Sequence, residues 1–179
     1  MELEIVRFLN QLGAGWADPA TIFVSSNTLL GIVGIIITAY FLIYDKKKGR
    51  QIAVAAAIAI VLHFLISEIF FKYVFPEFGL FRLRPYLAHP GEIIGLGKLN
   101  ESSSFPSSHM AYTLSLLTVW VYYYRKYLWL AVVFAIFMAF ARMHNGMHYP
   151  SDILAGAGLG VLYGMVAIKI SKKYVKKID

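Results

Sequence analysis

Cysteine is absent from the 179 residues, so disulfides, thiolate nucleophiles and cysteine-ligated metals are excluded. The absence leaves the redox compartment open. Charge is sparse as well: charged residues make up 15% of the chain, against about 25% in ordinary soluble domains. Acidic residues are the scarcer sign, 10 Asp and Glu against 17 Lys and Arg, for a formal net charge of +7. The N-terminus lacks the basic start and long apolar stretch of a cleaved signal peptide; Glu2 and Glu4 stand there instead. No low-complexity tract, second domain or convincing internal repeat interrupts the chain. What fills it is apolar: 59% of residues are hydrophobic and the mean hydropathy is +0.63. Those values exclude an ordinary soluble domain and place the chain among membrane proteins.

The apolar residues fall into runs bounded by charge. Pro19 through Tyr44 has no charged residue, and Asp45 to Arg50 stops it. Gln51 through Phe71 is interrupted only by His63 and Glu68. Met110 through Tyr124 begins just after His109 and ends at Arg125 and Lys126. Tyr127 through Phe140 is shorter, so Arg142 is expected to continue the same helix. Ile153 through Ile170 is stopped by Lys172, Lys173, Lys176 and Lys177. The expected fold is an all-α integral membrane bundle of about five transmembrane helices at roughly 20 residues each. It forms one domain over residues 1–179, with a polar loop at 73–105. Ile5, Phe8, Leu9, Leu12 and Trp16 fall at helical spacing. They predict a short amphipathic helix over residues 1–16, either lying at the membrane interface or packed on the bundle.

Basic residues concentrate in the loops at 45–50 and 125–126 and in the C-terminal tail. Five spans put these three segments on one side, which the positive-inside rule makes cytoplasmic. The polar segments around Arg84, His109 and His148 then share the opposite face. Tyr122 to Tyr124, Tyr127 and Trp129 fit an aromatic belt. Gly156, Gly160 and Gly164 form a doubled small-xxx-small pattern, read as close helix packing within the bundle in preference to dimerisation.

Ionisable side chains at the edges of such runs are costly unless they serve a function. His148 and Asp152 are four apart, but Pro150 lies between them and disfavours a continuous helix. His148 is therefore expected in a turn and Asp152 near a helix cap. Asp152 either caps the helix or accepts a hydrogen bond from the imidazole, leaving the other ring nitrogen free to attack. Phe105-Pro106-Ser107-Ser108-His109 reads as a helix start with free backbone N–H groups and serine hydroxyls, which favour an anion. His109 is placed to donate a proton to a departing oxygen. Arg84 and Arg142 supply planar forks that match phosphate oxygens. Together these residues make a phosphoryl-transfer site in which His148 attacks phosphorus and His109 acts as acid and then base. No metal is required, because arginines and backbone donors supply the compensating charge.

Arg84-Pro85, then Pro106-Ser107-x-His109, then Arg142-x5-His148-x3-Asp152 resemble, in that order, the three-part signature of the type 2 phosphatidic acid phosphatase family. The resemblance covers residues from about 60 to 165. It implies a helical bundle and a phosphatase acting on lipid phosphates without a cofactor. His148 would be the nucleophile, His109 the acid/base, Asp152 the orienting carboxylate, and Arg84 and Arg142 the phosphate ligands. Ser107 and Ser108 would add donors to the phosphate. The chain looks most like the small bacterial undecaprenyl-diphosphatase branch, which implies a polyprenyl diphosphate substrate, a bacterial plasma membrane and an extracytoplasmic site. Phosphatidylglycerophosphate, phosphatidate and lipid A phosphatases are the alternatives. The partners implied are the lipid and the bilayer, with no nucleic acid; oligomeric state is left open. The family lysine falls at Glu77, so either Lys72 is restored by an insertion or Arg82 takes its place, and Arg82 is preferred. Ser108 replaces a family glycine, and Ala141 replaces a family serine.

Plainer readings stand beside these. His144, His148 and Asp152 at intervals of four also fit metal ligands on one helix face, which Pro150 opposes. Asn145-Gly146 reads as a turn, so His144 is taken as a rim or substrate contact. His63 reads as a satisfied core histidine, and Glu68 as the structural partner of Lys72. A small transporter with a polar midline would place charge at span centres and break its helices; neither feature is present here.

Overall fold

Charge-bounded apolar runs become helices because a chain in hydrocarbon must satisfy its backbone internally. The computed structural model describes residues 1–175, and they form helices with no strand among them. The elements are α1 (Glu2–Gln11), α2 (Asp18–Val24), α3 (Asn27–Tyr44), α4 (Gly49–His63), α5 (Pro85–Ala88), α6 (Ser108–Tyr123), α7 (Leu128–His144) and α8 (Pro150–Val175). A π-helical stretch, Phe64–Val74, and a 3-10 turn, Phe75–Phe78, continue α4 without a break. The expected stop at Lys176 and Lys177 lies outside the described residues.

Among the described residues, four helical segments are long and apolar enough to cross a membrane: Asn27–Tyr44, Gly49–Phe78, Arg125–His144 and Pro150–Val175. The other expected span, α6, has 16 residues and runs through the middle of the bundle. The run from Pro19 to Tyr44 proves to be two helices. Pro19 sits in the first turn of α2. The chain then turns at Ser25 and Ser26, where the Ser26 side chain caps α3 by accepting from Leu29 N–H at 3.3 Å. Apolar composition alone hid that break. The N-terminal segment is helical as expected, but shorter. Val6 and Asn10 of α1 are buried while Ile5, Phe8, Leu12 and Trp16 stay exposed.

The most extensive packing joins α6 to α8, and α4 completes a three-helix centre. α3 leans on α4, and α7 on α6, α1 and α2. Small residues make the centre tight: Ala55, Ala59 and Ala167 pack with Phe41, Ile52, Val119 and Ile168. The glycine stripe of α8 faces α6, as expected for packing within the bundle. A Cβ added at Gly160 would meet the Ala111 carbonyl at 2.5 Å, and one at Gly164 would meet Thr118 Cβ at 2.6 Å.

The two ends of the bundle differ in character. At one end Tyr124 donates to Asp45, Lys48 lies 5.1 Å from the Tyr124 ring, and Lys172 donates to Tyr122. The basic loops therefore do gather. The opposite end carries α1, α2, the loop before α6 and the turn between α7 and α8.

Gly160→Ala is expected to lower stability by about 1–3 kcal/mol through overpacking against α6. Gly158, whose Cβ position is open, is the control, and Gly158→Ala should be close to neutral. Thermal unfolding in detergent measures both.

Candidate active site

The polar side chains of the motifs are delivered by helix termini and, for His148, by the turn between α7 and α8. Arg84 precedes Pro85, which holds it extended at φ −69°, ψ 151° and opens α5. Its Nε donates to Ser102 O at 3.0 Å, Nη1 to Met147 O at 3.2 Å, and Nη2 to Ser102 Oγ at 3.2 Å and Ser103 O at 3.3 Å. These partners are neutral, so they fix the fork without cancelling its charge. Arg142 lies in the last turn of α7, buried, with Nε lacking any partner and no ion pair among the described residues.

After α7 the chain turns through Gly146 at φ 68°, where a Cβ would also strike the Ile94 carbonyl. His148 follows. Its Nδ1–H donates to Ser104 O at 2.8 Å, which leaves Nε2 as the lone-pair nitrogen. That atom accepts from Arg84 Nη1 at 3.4 Å. Burial, followed by the nearby charges of Arg142 and Arg84, pushes the His148 imidazole well below its usual proton affinity, so it is neutral near pH 7.

Asp152 is fully buried in the first turn of α8. One oxygen accepts the Tyr149 N–H at 2.8 Å and closes the helix start from the third position. The other accepts from Arg82 at 2.7 Å. The oxygen that accepts from Tyr149, Oδ2, lies 3.8 Å from His148 Nδ1. Of the two roles read from the sequence, Asp152 takes the cap directly and faces the imidazole only as a nearby charge. The imidazole's hydrogen-bond partner is the Ser104 carbonyl. His109 occupies the first turn of α6, where its Nε2–H donates to Ser25 O at 2.9 Å. The Ser107 N–H donates to the Asp152 carbonyl at 3.0 Å, tying the two helix starts together.

Lys72, Arg84, Ser108, His109, Arg142 and His148 line one cavity of about 590 Å³. Lys98 adds a further cation, and Glu68 is the only lining carboxylate among the described residues. Glu68 accepts from Lys72 at 2.5 Å and lies 3.8 Å from His63 Nε2. His63 and Glu68 are five apart, a spacing that diverges on an α-helix; the i→i+5 winding of the π-helix realigns them. His63 departs from the reading as a satisfied core residue, since its Nδ1 is buried without a partner and the residue lines the cavity.

Three other expected residues lie elsewhere. Arg82 does not line the cavity; its fork is held by Glu2, Ser151 and Asp152. The preference for Arg82 at the family lysine therefore finds no geometric support, because the side chain is turned behind Asp152. Ser107 is buried outside the cavity lining with its hydroxyl unpartnered. His144 is neither a rim contact nor one of three aligned ligands. Its Nδ1 meets Leu9 O at 2.8 Å and its Nε2 meets Asp18 at 2.9 Å, while α7 ends before His148. It joins α7 to α1 and α2. Asn145 continues that joint through Thr21 O and Ser25 Oγ. The carbonyls of Ser25 and Ser104 left no trace in the motif spacing, because any residue type supplies a carbonyl.

Two buried guanidiniums without a carboxylate partner call for an anion. Inorganic phosphate should raise the Tm, by the equivalent of about 2.7 kcal/mol at a hundredfold excess over its Kd. Arg142→Gln should abolish that rise.

The model of the PAP2 superfamily matches residues 52–176. A protein named bacitracin transport permease protein BcrC from Bacillus licheniformis is 28% identical over 167 residues, covering 90% of this chain and 76% of that one. Undecaprenyl-diphosphatase BcrC of Bacillus subtilis is 24% identical over 157 residues, covering 86% and 75%. The crystal structure of Aquifex aeolicus LpxE superposes with a TM-score of 0.67 at 22% identity, covering 94% of each chain. The motif order, the shared cavity and these matches agree: the chain belongs to the PAP2 superfamily and is a membrane phosphatase of that family.

Proposed function

We propose that this protein removes the terminal phosphate of a lipid diphosphate, of the polyprenyl class, through a phosphohistidine on His148. The observation that carries the reading is the convergence of Lys72, Arg84 and Arg142 with both histidines on one cavity. Lys72 takes the place of the family lysine. The cavity also has an apolar wall, Leu30 and Gly31 of α3 and Ile60 and Phe64 of the α4 region. Ile60 and Phe64 are partly exposed on the outer surface, which offers an acyl or prenyl chain a route between α3 and α4. The name of the Bacillus subtilis relative favours a diphosphate headgroup over the phosphatidate, phosphatidylglycerophosphate and lipid A alternatives.

His148 Nε2 attacks the terminal phosphorus and the bond to the bridging oxygen breaks. Arg84 and Arg142 hold the equatorial oxygens as charge spreads over them. With Nε2–H of His109 held by Ser25, the ring acts as acid in its imidazolium form, favoured by the anionic phosphate, and its Nδ1 proton moves to the leaving oxygen. Water then attacks the phosphorus and gives a proton to His109 Nδ1, while the bond from phosphorus to His148 Nε2 breaks, releasing phosphate and the free imidazole. The five-span reading, α3, α4, α6, α7 and α8 in one domain, puts the basic end in the cytoplasm and the cavity on the extracytoplasmic face. The exposed apolar residues of α1 lie at the membrane surface on the cavity side.

Purified protein in excess chelator should release phosphate faster from a polyprenyl diphosphate than from phosphatidate or phosphatidylglycerophosphate. His148→Ala should lower the rate by at least about 10³-fold, and His109→Ala by about 10²–10⁴-fold. Faster release from phosphatidylglycerophosphate would overturn the substrate class, and an active His148→Ala would overturn the nucleophile.

Gly91→Cys in the loop before α6 should react with an impermeant thiol reagent from outside intact cells. Labelling only after lysis would reverse the orientation.

A further inference from the structure

We infer that Arg82 is a positioning residue, clamped by Glu2, whose charge offsets Asp152 and so adds to the burial and the Arg84 and Arg142 charges that hold His148 in its attacking form. The inference rests on the reading of His148 as the nucleophile. Asp152 has no exposure, and its carboxylate stands 3.8 Å from His148 Nδ1. An unopposed carboxylate at that range favours the imidazolium, which has no lone pair for phosphorus. Arg82 opposes it, with Nη1 donating to Asp152 Oδ1 at 2.7 Å and to Ser151 Oγ at 2.6 Å.

Arg82 is fixed on its other sides as well. Nη2 donates to Glu2 Oε2 at 2.8 Å, and the guanidinium lies 4.1 Å from the Tyr149 ring centre. The second Glu2 oxygen accepts the Ser151 N–H at 2.8 Å, in the first turn of α8. One carboxylate of α1 thus grips both Arg82 and the helix that carries Asp152. Around His148 the charges are divided. Arg84, Arg142, Lys72 and Lys98 belong to the cavity beside Nε2, with Glu68, His63 and His109 also lining it. On the Nδ1 side stand the Ser104 carbonyl and Asp152, with Arg82 behind Asp152. Removing Arg82 unbalances only the second group.

The sequence alone offered a different role for Arg82, that of a phosphate ligand. The two roles part in kinetics. A lost phosphate ligand raises KM and leaves the acid limb of the pH profile in place. A lost clamp raises the proton affinity of His148, so activity on the acid side falls at a higher pH.

The test is the pH dependence of kcat/KM for Arg82→Gln, with phosphate release as the readout. The acid limb is expected to rise by about one pH unit or more, with KM changed less than threefold. Arg82→Lys, which keeps the charge, should return most of the shift. If Arg82→Gln alone fails to fold because Glu2 is stranded, Glu2→Gln combined with Arg82→Gln removes both partners and must show the same rise. A KM at least tenfold higher with an unmoved limb overturns the clamp and makes Arg82 a phosphate ligand. An unmoved limb with unchanged KM overturns both roles. His148→Ala in the same assay separates the premise: if it remains active, the nucleophile reading fails, whatever Arg82→Gln does.

Discussion

Close contact between α6 and α8 is the constraint on which the site depends. Gly156, Gly160 and Gly164 let the backbones approach until a single added carbon would collide with a carbonyl or a side chain of α6. The helix starts are then close enough for the Ser107 N–H to reach the Asp152 carbonyl. That bond sets His109 and the His148–Asp152 turn side by side. Little apolar driving force separates helix from lipid in a bilayer, so small residues and backbone contacts carry much of the association. The geometry of the candidate site and the packing of the bundle therefore depend on the same helix contact.

The second constraint is electrostatic. A cavity next to hydrocarbon collects Lys72, Arg84, Lys98 and Arg142 against one carboxylate. Arg84 is held by main-chain oxygens and a serine hydroxyl, which orient it and leave its charge available. Glu68 pairs with Lys72 and tempers the excess. The carboxylates that neutralise Arg82 lie behind the site. Charge is thus sorted by distance from the cavity: cations around it, tempered by the Lys72–Glu68 pair, and the pairs of Arg82 one layer out.

Much of this was legible from residue order. The apolar runs pointed to the four helical segments long and apolar enough to span, the basic loops meet at one end, and the three motifs named both histidines and both arginines that line the cavity. Other parts were not legible. The break at Ser25 and Ser26 lies in an uncharged run, and two serines carry too weak a signal to divide it. The π-helical winding that aligns His63, Glu68 and Lys72 has no period a sequence reader looks for. It also explains how a lysine five positions before its expected place reaches the cavity, whereas Arg82, five positions after that place, is drawn to Glu2. His144 had the spacing of a ligand and proved to be a strut, because Asn145-Gly146 ended the helix that would have aligned it.

The carbonyl of Ser25 holds the ring of His109 from 84 positions away. A partner of that kind has an unusual relation to mutation. Almost any side chain at position 25 leaves the oxygen where it is. A single inserted or deleted residue between Asp18, anchored on His144, and the cap at Ser26 would move it. For this short helix, the spacing of its anchors, more than its letters, is the inherited information.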